Sequence, residues 1–549
     1  MKNAPTASRE RLAAAIDFIE PLVSELRPLL HRHNEALWMG STTGEASYAE
    51  ESARLDAQVR KIFARREPFE ALRRISEGGT ADPAVDRQVL LLLNLFRAQQ
   101  IPEAMIDRMV TIEKDLEHRF NNFRAELDGE RVSDNRIRQV LRDSTESAER
   151  RRAWEASKQI GGEVEADLLK LVRLRNQAAR DLRFDNYYSM MLELDELRED
   201  ELFEILDGLD RGTRPLFREY KSRLDGQLAR RFGVAAGALE PWHYGDPFFQ
   251  EAPAADYDLD PWFRDRSLVE MTERSFAGID FEIRDLIERA DLFEKPGKSQ
   301  HAFCLSMDRG RDIRVLCNLR PSEFWMSTML HEFGHAVYDQ HIDPSLPFLL
   351  RVPAHTLTTE ASAMLFGRLS KNTTWLQLYA GMGEAEARDA GAVTARTMRA
   401  QLLVLTRWCL VMCHMERELY RNPERDLSAL WWSLVERFQG IRGPSGRSAP
   451  DWASKIHFSV APVYYHNYIL GEIMASQLEA CLLRLGSASG TGAWREYLTS
   501  ARVGAHLKDR LYRPGRSLDW REAIQHATGE SLNPSSFVAG VGEAVPPPT

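Results

Sequence analysis

Residues 331–335 read His-Glu-Phe-Gly-His, and the residue types at that spacing prescribe a chemistry. Side chains four apart on an α-helix share one face. His331 and His335 therefore offer two imidazoles to one point, with Glu332 beside them to take a proton from water. The surrounding residues supply the helix. "PSEFWMSTMLHEFGHAVYDQH" has no proline after Pro321, and Pro321 with Ser322 can open it. Met329, Leu330, Phe333, Ala336 and Val337 make it apolar on several sides. Two histidines and a glutamate in so apolar a setting call for a metal, and the donor set suits Zn2+.

Two residues compete for the third ligand position. His341 lies six residues after His335, the spacing of the long HExxHxxGxxH motif. That motif needs a glycine three residues after the second histidine, where the helix ends. Here Tyr338 stands there, a residue poorly suited to a left-handed turn. If the helix continues, six residues carry His341 about 240° around the axis from His335, away from the metal. The other candidate is Glu360 in "HTLTTEASAMLFGRLS" (355–370), an apolar helical pattern in which a carboxylate is usually paired or ligating. His355 is a further candidate in that segment. The assigned ligands are His331, His335 and Glu360, which leaves a coordination position open, as catalytic zinc sites do.

These residues need elements to hold them, and nearly all the elements read as helix. Segments 168–182 and 198–232 repeat apolar residues at the 3.6 period with dense Leu, Ala, Arg and Glu. Turn signals at 75–84, 294–299 and 440–451 punctuate the pattern, and the tail "VPPPT" is expected to fray. "RQVLLLLNLF" (88–97) is too short to span a bilayer and reads as a buried helix. One region breaks the habit. "HAFCLSMDRGRDIRVLCNL" (301–319) has two short runs around Asp308-Arg309-Gly310, the pattern of a β-hairpin. An exposed strand edge there could bind a peptide by main-chain hydrogen bonds.

The 549 residues carry a net charge of −10, which argues against a grip on nucleic-acid phosphates. No secretory signal pattern opens the chain, and the five cysteines are sparse and odd in number; both favour a cytoplasmic protein. Cys409, Cys413 and His414 lie in one apolar helical run and read as core. Neither a membrane nor a nucleic acid is expected as a partner, and monomer and dimer both stay open.

HExxH followed by a glutamate is the gluzincin pattern. "QHAFCLSMDRGRDIRVLCNLR", "WWSLVERFQGI" (431–441) and "DWASKIHFSVAPVYYHNYILGE" (451–472) resemble the peptidyl-dipeptidase family typified by angiotensin-converting enzyme. So do "LVRLRNQAARDLRFDNYY" (171–188) and "LRPLLHRHNEALWMGSTTGEASY" (26–48). "VYYHNYILG" is also similar to the tyrosine-rich pattern of oligoendopeptidases. The resemblance implies a mostly all-α protein in which two helical lobes enclose a deep cleft, one peptidase domain over 1–549, with a helical lid in 1–100 and the hairpin and zinc helices in 301–370. It further implies that Tyr468 and His457 stabilise the oxyanion, and that Lys455 with Tyr465 or Tyr464 anchors a peptide's terminal carboxylate. It implies that His301 and Ala302 hold the peptide main chain. The substrates would be short peptides, the cofactor Zn2+ and the product a C-terminal dipeptide. An oligoendopeptidase, or a zinc-holding peptide binder without activity, are the alternatives.

Three departures from the family stand out. Met364 replaces the aspartate that supports the zinc shell, so another group must orient the histidines. Asn467 and Val435 replace two chloride-binding arginines. Gln300 and Asn318 replace the cysteines that bracket the hairpin in secreted members.

Overall fold

The computed structural model describes residues 4–253, 257–486 and 489–542; the proline-rich tail lies outside them. The chain is mostly α-helical, with two small antiparallel hairpins. Four helices are long: Ala4–Thr43, Ser147–Asp181, Glu199–Phe232 and Glu384–Arg421. Their ends follow local chemistry. Glu199, Asp200 and Glu201 occupy the first turn of the third, Arg230 and Arg231 its last turn, and Gly233 closes it in the left-handed conformation. Among the described residues, no helix is long and apolar enough to cross a membrane.

The main core is one cluster running from Met109 to Val541, and the helix of the HExxH motif passes through it. Met326, Met329, Leu330, Phe333, Ala336 and Val337 are all fully buried. The first four helices build a separate core from Ala15, Leu26, Leu72, Leu92 and Phe96, which closes against Phe348 and Leu349. The helix containing 88–97 differs from the sequence reading: Leu90 and Leu95 are 44% and 47% exposed while Leu91 and Leu92 are buried. A two-layer helical unit has only one buried face per helix, and this run carries more leucines than that face can take.

The hairpin expected in 301–319 is present, as strands Phe303–Ser306 and Ile313–Leu316. The register pairs Phe303 with Leu316 and Ser306 with Ile313. The inner strand is buried and also bridges Asp291, so the outer strand carries the free edge. Asn318 donates to the Ser299 carbonyl at 2.9 Å and ties the hairpin's two ends together. A second hairpin, Ala125–Leu127 with Glu130–Val132, was not expected. Its Asp128-Gly129 turn, with φ of 56° and 85°, is a strong hairpin signal within strands of only three residues each.

Candidate active site

Three helices meet at the motif: Glu323–His341, Thr356–Gly367 and His466–Leu483. Ser322 caps the first through the Trp325 amide. Glycines let the three approach. A Cβ on Gly334 would lie 2.8 Å from the Ala363 Cα, and one on Gly471 would lie 3.2 Å from the Glu360 Cβ. Ser362 adds a hydrogen bond to the Gly334 carbonyl at 3.0 Å, and Ser327 one to the Gly367 carbonyl at 2.9 Å.

That crossing brings one ligand atom each from His331, His335 and Glu360 to within 4.8 Å of one another. His331 Nε2 is 3.8 Å from a Glu360 carboxylate oxygen. Burial lowers His331 to about 4 and His335 to about 3, so both imidazoles are neutral at pH 7 with lone pairs to give. The donor set, two neutral imidazoles and a carboxylate, fits zinc. His335 Nδ1 lies 2.7 Å from the Thr359 hydroxyl. With that nitrogen donating to Thr359, Nε2 is the free one. Thr359 is thus placed to orient the His335 ring.

His341 stays in the same helix, donates from Nδ1 to the Val337 carbonyl at 2.8 Å and packs on Phe281. It stands apart from the ligand cluster. His355 caps the Glu360 helix, accepting from the Leu357 amide at 3.0 Å, while its other nitrogen meets Asp195. Cys409, Cys413 and His414 are buried in the 384–421 helix.

Glu332 is buried. Burial first, then the Glu360 charge, push its carboxyl up to about 8; a hydrogen bond from the Cys304 amide offsets part of this. That bond fixes the orientation of the outer strand. Cys304 points its backbone outward from the hairpin, and Ser306 does the same, its carbonyl accepting from Asn34 at 3.1 Å. By the two-residue alternation, Ala302 shares that outward direction. Ala302 is half-buried and His301 is exposed at the start of this edge.

The remaining candidates sit on the segment 455–468. Lys455 Nζ donates to Gln250 Oε1 at 3.0 Å and lies over the rings of Phe248 and Trp408. Burial lowers its ammonium to about 8. Tyr465 is buried, and its hydroxyl accepts from Trp408 Nε1 at 2.7 Å, on the Lys455 side. Tyr464 and Tyr468 lie on the metal side, their ring centres 5.4 Å apart, and burial first, then the Glu360 charge, raises both phenols. His457 Nδ1 is buried without a partner, and burial lowers the ring to about 4.

Two buried polar side chains that the sequence did not single out hold this segment. Arg175 donates to the carbonyls of Phe458 and Ser459 at 3.0 and 2.6 Å. Glu416 accepts from the Val463 amide at 2.7 Å. Val463 has φ of 57°, a left-handed conformation that a β-branched residue adopts only under constraint. A cavity of about 680 Å³ opens beside His331 and extends to Gln250, with Ser327, Met364 and Arg368 on its wall.

Comparison with known proteins agrees with this architecture. Residues 9–239 and 263–538 match the peptidase family described as angiotensin-converting enzyme. Angiotensin-converting enzyme of Oryctolagus cuniculus is 24% identical over 402 residues, covering 66% of this chain and 30% of that protein. The Bos taurus protein of the same name is 24% identical over 420 residues, covering 69% of this chain and 31% of its own. Carboxypeptidase 1 of Bacillus subtilis (strain 168) is 23% identical over 255 residues, 42% of this chain and 50% of that one. The chain thus spans under a third of the length of the two animal relatives.

Proposed function

The chain belongs to the peptidase family described as angiotensin-converting enzyme, and from that premise we propose that it is a zinc-dependent peptidase releasing C-terminal dipeptides from short peptides. The observation that carries the exopeptidase part is the half-buried Lys455–Gln250 pair, whose Gln250 lines a cavity that runs to His331. An ammonium a fixed distance from the scissile bond measures off the substrate's end, because a free carboxylate is a strong local charge.

Zinc held by His331, His335 and Glu360 would supply Lewis acidity at the scissile carbonyl. The other roles belong to the chain's own groups. Glu332 takes the proton from the attacking water and returns it to the leaving amine; a carboxyl with affinity near neutrality suits both transfers. The Tyr468 hydroxyl donates to the carbonyl oxygen as charge develops there, and His457 adds a second partner. The outward backbone of Ala302 pairs with the peptide main chain beside His301. Lys455 and Tyr465 hold the terminal carboxylate, and Tyr464 lines the metal side. The helices in 1–100, which bond to the hairpin through Asn34 and His31, limit entry to short, unfolded peptides.

Amidating the peptide's C-terminus tests the carboxylate anchor. Losing a charge-assisted contact to Lys455 should lower kcat/KM roughly tenfold or more. Equal cleavage of free and amidated peptides would instead indicate an oligoendopeptidase, and binding of both without cleavage a peptide-binding protein.

A further inference from the structure

The proposed chemistry leaves unused a half-buried carboxylate on the helix of the metal motif, Asp339. It lies two turns beyond Glu332. At 100° per residue it stands about 20° around the axis from Glu332 and about 40° from His335, on the same face as both. The Cys304 thiol is raised first by burial, then by the charges of Asp339 and Glu332, which sets the outer hairpin strand against both carboxylates.

Several other enclosed carboxylates among the described residues are satisfied. Asp246 accepts from the Phe248, Gln250 and Glu251 amides, Asp451 pairs with Arg447, and Asp210 pairs with Arg407 and Arg214. Asp339 is half-buried, and among the described residues its carboxylate makes no hydrogen bond or ion pair. Burial alone pushes its carboxyl up to about 7, and no charged neighbour contributes. An enclosed acid without a partner is costly, and the cost is offset when a ligand brings the opposite charge.

The direction of the peptide follows from the cavity. Ser327 and His331, at the helix's N-terminal end, share the cavity with Gln250, where the substrate's C-terminus would lie. The substrate's other end then runs past His335 toward the helix C-terminus. Asp339 is one turn, about 6 Å, beyond His335. An extended peptide covers that in about two residues at 3.3 Å each.

We propose that Asp339 binds a cationic group of the substrate, one or two residues to the N-terminal side of the scissile bond. The cation is a Lys or Arg side chain or the peptide's free amino terminus. This rests on the peptidase reading, and the shared chemistry is ammonium or guanidinium on carboxylate.

The test uses the zinc-loaded protein and its Asp339→Asn variant with matched peptides. One set carries Lys or norleucine at each of the two positions before the scissile bond; the other has a free or acetylated amino terminus. The native protein should favour the cationic member by about tenfold or more in kcat/KM, and Asp339→Asn should bring that ratio near one. Whichever set shows the preference identifies the source of the charge. No preference in the native protein, a preference that survives in the variant, or equal loss on both members of each pair would overturn the assignment. Equilibrium binding of the same pairs reads the ratio without turnover. A cationic preference in binding with no hydrolysis would sink the peptidase reading and keep Asp339. Hydrolysis without any preference would do the reverse.

Discussion

Replacing Thr359 with valine nearly keeps the side-chain volume and removes the oxygen that lies 2.7 Å from His335 Nδ1. The ring then loses the partner that fixes both its orientation and the nitrogen it presents. A buried donor left unmade costs about 1–3 kcal/mol, and 1.4 kcal/mol is a factor of ten. The zinc dissociation constant should therefore rise about 10–100-fold, the range usual for loss of an outer partner of a ligating histidine. Competition against a chelator of known affinity measures it, with Thr359→Ser as the variant that keeps the oxygen and most of the affinity. Zinc affinity within about twofold of native in Thr359→Val would refute the reasoning and require that His335 be oriented by packing alone.

Gly334→Ala would place a methyl 2.8 Å from the Ala363 Cα and 3.1 Å from the Ser362 carbonyl, neighbours that cannot swing aside. Denaturant titration should show a loss of about 1–3 kcal/mol. Glu416→Ala removes the acceptor of the strained Val463 amide and frees the segment that carries Lys455 and His457. KM should rise more than kcat falls, and Glu416→Gln, which keeps an acceptor, should recover most of the difference. Activity should be indifferent to chloride when it is exchanged for acetate at constant ionic strength. Asn467 and Val435 stand where the family resemblance places arginines, and Lys158, which shares a small aromatic pocket with Val435, already donates to the Pro247 carbonyl at 2.8 Å. A large chloride activation would contradict this reading.

What the sequence made legible was local. The HExxH spacing, the cap at Ser322 and the lack of a glycine at position 338 depend on one helix, and the structure continues that helix through His341. The hairpin at 303–316 announced itself by its own turn. The groups that support the site come from helices far apart in the chain. Arg175 and Glu416 reach the 455–465 segment from two different long helices, and no period on either helix marks them. Thr359 read only as the residue before a ligand, because its role depends on how closely two helices cross. That approach is set by Gly334 and Gly367, whose missing side chains signal nothing until the partner helix is in place. The Asp128-Gly129 turn carries a hairpin signal, but strands of three residues each do not break the helical pattern around them.

The most direct test is mass-spectrometric mapping of the products from a defined peptide mixture, with zinc-loaded native protein and Glu332→Ala side by side. The account predicts successive loss of C-terminal dipeptides by the native protein alone, with one zinc bound to each protein. Equal cleavage by both proteins, or no cleavage by native protein that holds its zinc, would contradict it.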